Sequence, residues 1–256
     1  MAKKLSVLLT NDDGYQAAGL RALADELKEF ADVKIVAPSW ERSGAAQALT
    51  LRQPIVCHRI AENEWAIDGT PADCVIVGLH KLFQELPDLV ISGINHGANL
   101  GENVYYSGTV GAAREAAIHH VPGLAVSLCS KRVNSDFAPT SRLTRKTAEL
   151  IFREKLPDQV FLNVNVPENW RGGVKLTRQS RKITRTILRE GEDPRGVLYF
   201  WLSEQRLDRE MDIDADSDYA AIFAGEASIT PLHLDPTDAE SLNHLSYWTA
   251  KLASQQ

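Results

Sequence analysis

Short runs rich in Val, Ile and Leu recur along the first half of the chain, at residues 5–10 (LSVLLT), 33–37 (VKIVA), 88–92 (DLVIS) and 124–128 (LAVSL). Consecutive apolar positions over so short a span are the pattern of strands covered on both faces, and they predict parallel strands. Between them lie helical patterns at Gly19 to Phe30, at Pro71 to Glu85 and at Thr109 to His120, the last ending before Pro122. Thr70 is placed to cap the second of these, with Pro71 at its first helical position. Strands alternating with helices predict an α/β fold, a Rossmann-like, doubly wound and mostly parallel sheet. The stretch 50–67, with Ile55-Val56 and Trp65-Ala66-Ile67, predicts a β-hairpin insertion.

Beyond a helix at about 140–155 and a strand at 160–165 (VFLNVN), the pattern loosens into a charged region, 171–218, that contains the aromatic run Leu198-Tyr-Phe-Trp-Leu202. A strand this apolar between Arg-rich and Asp-rich segments is not expected at the centre of the sheet. An extended arm packed on a neighbouring subunit would bury it. The chain returns at Ser228 to His233 (SITPLH) and closes with a helix near 237–252. Neither a repeat nor a low-complexity linker interrupts it. A single domain over 1–256 is expected, with an α/β core of about 1–170 plus 228–256 and an arm of about 171–227.

With 256 residues, 44% of them hydrophobic and 24% charged, the chain can build a substantial core. Its net charge of −6 offers no basic field for a nucleic-acid polymer, which is not expected as a partner. A small anion stays open, because a metal can supply local positive charge. Cys57, Cys74 and Cys129 match no short ligand spacing and read as free thiols in a reducing compartment. The apolar stretch Leu5 to Leu9 is too short for a signal-peptide core or a bilayer span, so a cytoplasmic protein with no membrane association is expected.

Four segments carry chemistry. Thr10-Asn-Asp-Asp-Gly14 follows the first strand, where open α/β sheets gather ligands. Adjacent carboxylates repel, and a divalent cation relieves both; an ordinary Asp-Asp-Gly surface turn is the alternative. Ala37-Pro-Ser-Trp-Glu-Arg-Ser-Gly44 follows the second strand and offers hydroxyl and guanidinium groups, or is simply a solvated loop. Ser92-Gly-Ile-Asn-His-Gly97 and Ala98-Asn99-Leu100-Gly101 follow the strand at 88–92, with glycines for close approach and amides from Asn95 and Asn99. Tyr106-Ser-Gly-Thr-Val-Gly111 opens an Ala-rich helix, whose free N–H groups and dipole make a phosphate seat, although Ser and Thr are also common caps. All four fall on one predicted sheet edge. Carboxylate, hydroxyl and amide oxygens without His or Cys suit Mg²⁺, Mn²⁺ or Ca²⁺ better than zinc.

These residues resemble the SurE family of survival-protein 5′-nucleotidases. The matching strings are TNDDG (10–14), VAPSWERSGAAQALT (36–50), DGTPADCV (68–75), DLVISGINHGANLGENVYYSGTVGAA (88–113), LNVNVP (162–167), TRQSR (177–181) and SITPLH (228–233), spread in order over nearly the whole chain. The resemblance implies a metal-dependent phosphomonoesterase of nucleoside 5′-monophosphates, often of 3′-monophosphates and sometimes of short polyphosphate. It carries one divalent ion per subunit, Mg²⁺ or Mn²⁺, to Asp12, Asp13, Ser43 and Asn95, with Asp12 and Asp13 also catalytic. Phosphate contacts fall to Asn99, Ser107, Gly108 and Thr109. A homodimer or homotetramer built through the C-terminal arm is implied as well. Ala98 stands where the family often has Pro, and Ala227 where an aromatic usually precedes SITP.

Two chemical routes follow: attack by a metal-activated water, or an aspartyl-phosphate on Asp12 or Asp13. A non-catalytic nucleotide-binding module on the same fold is the alternative function, and a glycosyltransferase with paired Asp on a metal is a more distant one. A haloacid-dehalogenase-type phosphatase is excluded by spacing, since Gly14 and Tyr15 stand where its second Asp would be. Asp212, Asp214, Asp216 and Asp218 are spaced like a calcium loop, but Ser217 and Phe223 replace its Gly and Glu, so a solvated turn is expected. His96 can reach substrate, whereas His119 and His120 fit a helix C-terminus. The cluster from Arg178 to Arg185 could attract phosphate across a subunit boundary, although charge runs are more often solvated faces.

Overall fold

The computed structural model describes residues 4–181, 184–206 and 213–253. Its main sheet has nine strands among these residues: β1 (Leu5–Thr10), β2 (Ala31–Pro38), β3 (Cys57–Ala61), β4 (Glu64–Ile67), β5 (Leu89–His96), β6 (Gly123–Cys129), β7 (Val160–Pro167), β8 (Val174–Leu176) and β11 (Ala227–His233). Their spatial order is β3-β4-β2-β1-β5-β6-β7-β11-β8. Neighbours from β4 through β7 run parallel, while β3 and β11 are antiparallel to β4 and β7. β1 therefore sits between β2 on one side and β5 on the other, and the winding reverses there. That switch point opens a crevice at the carboxyl ends of these three strands.

Helices cover both faces. Leu20, Leu23 and Leu27 of α1 (Ala18–Leu27) join Leu143, Ala148 and Ile151 of α4 (Ala138–Glu154) against β1, β5 and β6. On the opposite face, Val75 of α2 (Pro71–Val77) and Ala112 and Ala116 of α3 (Gly108–Ile118) pack on Leu8, Val36 and Val90. Burial on both faces explains the continuous apolar runs that make the central strands legible.

The hairpin expected within 50–67 forms as β3 and β4, and β4 joins β2 so that the pair becomes the sheet's edge. The helix expected to run from Pro71 to Glu85 ends at Val77 and continues as one wider turn, Gly78–Leu82. A Cβ on Gly78 would lie 2.3 Å from Leu8 Cδ1, so a glycine that loosens the helix is what lets it sit on the sheet. The single closing helix is instead two short ones, α6 (Ala239–His244) and α7 (Trp248–Ala253). No residue of α6 is buried, and without packing a continuous helix gains little.

The aromatic run lies outside the main sheet, as its composition demands. It forms β10 (Leu198–Arg206), which pairs antiparallel with β9 (Thr184–Glu192) as a separate two-stranded ribbon. The acidic run departs from the solvated turn expected of it. Asp214 and Asp216 do face solvent, paired with Arg178, but Asp218 at the start of α5 (Asp218–Phe223) is fully buried. Asp212 lies outside the described residues. Among the described residues, no helix is long and apolar enough to cross a membrane.

Candidate active site

A cleft of about 720 Å³ opens at the switch point, lined by Asp12, Asp13, Glu41, Ser43, Asn95, Asn99 and Ser107 together with Gly44, His96, Ala98, Asn103, Tyr106, Thr186 and Leu202. The three segments that follow β1, β2 and β5 converge there with the start of α3.

The β1 loop is held locally. Asn11 Nδ2 donates to the Gly14 carbonyl at 2.9 Å, and the Tyr15 N–H reaches Pro38 O at 2.8 Å. This leaves Asp12 pointing inward, only 4% exposed, and Asp13 beside it. Thr109 grips the Asp12 carboxylate twice, through its hydroxyl to Oδ1 and its backbone N–H to Oδ2 at 3.2 Å. Burial nevertheless pushes the Asp12 carboxyl up to about 6; the Thr109 hydroxyl opposes the rise, and the neighbouring Asp13 charge adds to it. The Asp13 carboxyl is raised as well, chiefly by burial and further by Glu41, against the His96 N–H that donates to it at 3.2 Å.

Gly108 is required by this packing. A Cβ there would stand 2.9 Å from the Asp12 Cβ, so the helix start can approach the carboxylate only without a side chain. On β5 a bulge between Ser92 and Asn95 sets the direction of Asn95. Gly93 carries it at φ +141°, with its missing Cβ 2.4 Å from Val126 O. Asn95 Nδ2 donates to Gly97 O at 2.8 Å, which turns the amide oxygen the other way. The β2 loop is pinned from both sides, by Arg42 N–H to Asp12 O at 2.7 Å and Ala46 N–H to Tyr106 O at 3.0 Å. The Ser43 hydroxyl donates to Glu41 at 2.8 Å, leaving its lone pairs for another ligand.

Asn99 is held by a buried polar frame. Its N–H donates to Asn165 Oδ1 at 2.8 Å, its carbonyl accepts from Asn163 at 2.8 Å and Asn165 at 3.0 Å, and its own Nδ2 donates to Ser127 at 2.8 Å. Ser107 caps α3, its hydroxyl oxygen accepting from the Val110 N–H at 3.1 Å. Six of the eight residues expected to hold the metal or the phosphate therefore line one cleft, Asp12, Asp13, Ser43, Asn95, Asn99 and Ser107, and His96 lines it with them. Gly108 and Thr109 do not line it, because both are turned onto Asp12.

The chain matches the family model described as "Survival protein SurE" over residues 7–186. It belongs to the SurE family. Among curated proteins, "5'-nucleotidase SurE" of Geotalea uraniireducens is 45% identical over 248 residues, covering 95% of this chain and 99% of that protein. The Pseudoalteromonas atlantica protein of the same name is 40% identical over 251 residues, covering 97% and 100%. Among solved structures, the SurE protein from Aquifex aeolicus superposes with a TM-score of 0.84 at 35% identity, over 95% of this chain and 99% of that one. The SurE fold is thus shared along almost the full length.

Several residues that line or brace this cleft were not singled out from sequence. Glu41 rather than Arg42 faces the cleft; the Arg42 guanidinium lies 4.9 Å from the centre of the Trp40 ring. Asn163 and Asn165 carried a usable signal, since two amides at alternate positions of a buried strand share one face and need partners. Asp218 carried none that distinguishes it from its exposed neighbours.

Proposed function

We propose that the protein is a divalent-metal-dependent phosphomonoesterase converting nucleoside 5′-monophosphates to nucleoside and phosphate. The observation that carries this reading is electrostatic. Asp12, Asp13 and Glu41 share one cleft that, among the described residues, no Lys or Arg lines. Carboxylates so crowded favour a cation between them. Asp12, Asp13, Ser43 Oγ and Asn95 Oδ1 would hold it, one ion per subunit, and an all-oxygen donor set fits Mg²⁺ or Mn²⁺. When bound, the cation supplies the positive charge that draws a phosphate into an acidic cleft and makes water a better nucleophile. The name 5′-nucleotidase borne by the curated relatives supports the substrate class.

The chain's own residues seat the phosphate. In the first turn of α3 the Thr109 N–H goes to Asp12 and those of Val110 and Gly111 go to Ser107, so a phosphate in the cleft is met by side chains rather than by the N–H groups of this turn. Ser107 accepts from Val110 and so can donate its own proton to a phosphoryl oxygen, and Asn99 keeps one amide N–H beyond the one given to Ser127. Thr109 holds Asp12 in place. Because Thr109 engages both Asp12 oxygens, that carboxylate is a poor attacking group, which argues against an aspartyl-phosphate on Asp12.

The exposed aromatic residues Tyr199 and Trp201, on the face of β10 turned away from Leu202, suit a homodimer or homotetramer formed through the arm. Three free cysteines fit a reducing cytoplasm.

A substrate panel with Mn²⁺ tests the function: nucleoside 5′- and 3′-monophosphates, short polyphosphate, a nucleotide-sugar and an aryl phosphate. Phosphate release from the 5′-monophosphates is expected, and the panel reads directly whether 3′-esters and polyphosphate are also cut. Binding of AMP or GMP without phosphate release would establish the nucleotide-binding module instead.

A further inference from the structure

The cleft has a floor and a rim of different chemistry. Asp12, Ser107 and Asn99 are 4%, 6% and 8% exposed and make up the polar floor. Tyr106 and Leu202 line the same space but are 62% and 71% exposed, which places them at the mouth together with Thr186. A phosphate needs only the floor. A cleft of about 720 Å³ with an apolar and aromatic mouth is sized for a larger ligand, whose remainder is flat and weakly polar.

Thr186 and Leu202 reach this cleft from the β9–β10 ribbon. In its register Leu202 pairs with Leu188 and Thr186 with Glu204, so Thr186 and Leu202 are diagonal neighbours on one face. Trp201 and Tyr199 belong to the other face. Just before the ribbon, Ser180 is tied to the floor. Its hydroxyl donates to Asp218 at 2.5 Å, and the second oxygen of the same buried carboxylate accepts the Gly101 N–H at 2.7 Å, two residues after Asn99. One buried carboxylate thus links the start of the arm to the phosphate loop.

We propose that the face of the β9–β10 ribbon bearing Thr186 and Leu202 is the wall that recognises the nucleoside, with Leu202 and Tyr106 meeting the base and the Thr186 hydroxyl its polar edge or ribose. The inference rests on the nucleotidase reading and assigns its specificity to the arm. A floor built from Asp12, Asn99 and Ser107 treats all phosphomonoesters alike, whereas an apolar mouth rewards only those that carry a heterocycle.

The test compares a nucleoside 5′-monophosphate with ribose 5-phosphate, the same ester without a base, as substrates or as competitive inhibitors in the presence of Mn²⁺. Leu202→Ala, at an exposed position that folding does not need, is expected to lower kcat/KM for the nucleotide about 5- to 10-fold, mainly through KM. Its constant for ribose 5-phosphate stays within about twofold of the wild type. Trp201→Ala, on the opposite face, leaves the preference unchanged. Equal losses on both esters, no loss on either, or the same shift from Trp201→Ala would overturn the proposal. Failure of the wild-type protein to turn over any nucleotide would instead overturn the nucleotidase reading and the proposal with it.

Discussion

Thr109 donates both its hydroxyl and its backbone N–H to Asp12, a residue 97 positions earlier, and so locks the end of β1 to the start of α3. That lock couples the acidic end of the cleft to the helix terminus facing it.

Thr109→Val keeps the shape and removes the hydroxyl. Hydrogen bonds to a charged group contribute about 1.5–3 kcal/mol, so a 10- to 100-fold fall in kcat/KM is expected if the bond serves the active geometry. Steady-state kinetics beside a thermal melt check this; wild-type kinetics in a folded Val variant would remove Thr109 from the site.

Stability of the chelated protein should depend on pH through Asp12. Its carboxyl is raised in the folded state to about 6, so the folded protein binds that proton more tightly than the unfolded chain does. The contribution is then fully present below about pH 4 and is lost as pH rises towards 6, a change of roughly 3 kcal/mol for a shift of about two units. A cation bound at the proposed site would replace the proton. The gap between the melting temperatures of the Mn²⁺-loaded and EDTA-treated forms should widen from pH 5 to 7, and a constant gap would contradict the coupling.

Asp218 accepts from Gly101, Ser180 and Tyr219 with no exposure to solvent. Asp218→Ala leaves those donors without their acceptor, at about 1–3 kcal/mol for each one that is buried. Amide exchange should show the Gly101 N–H losing protection first, along with a drop in nucleotide turnover. Unchanged exchange at Gly101 would mean that the loop is held by other contacts.

The central strands and the position of Asp12, Asp13 and Asn95 were legible because burial on both faces leaves unbroken apolar runs and ligands collect where those runs end. Gly78 and the break between α6 and α7 were not, since one depends on close packing against Leu8 and Val36 and the other on the absence of packing. Thr109 had the right neighbourhood and a different partner: sequence places a hydroxyl at a helix start, and only packing shows that a buried carboxylate takes it first. Asp218 hid among exposed aspartates because burial there arises from segments more than 30 residues away, at Ser180 and Gly101.

Phosphate release from a nucleoside 5′-monophosphate, measured before and after exhaustive chelation and then with Mn²⁺ titrated back, bears most directly on the cation proposed at Asp12, Asp13, Ser43 and Asn95. Activity should vanish on chelation, return as about one ion binds per subunit, and fail to return in Asp12→Asn. Full turnover by the chelated protein would contradict the account.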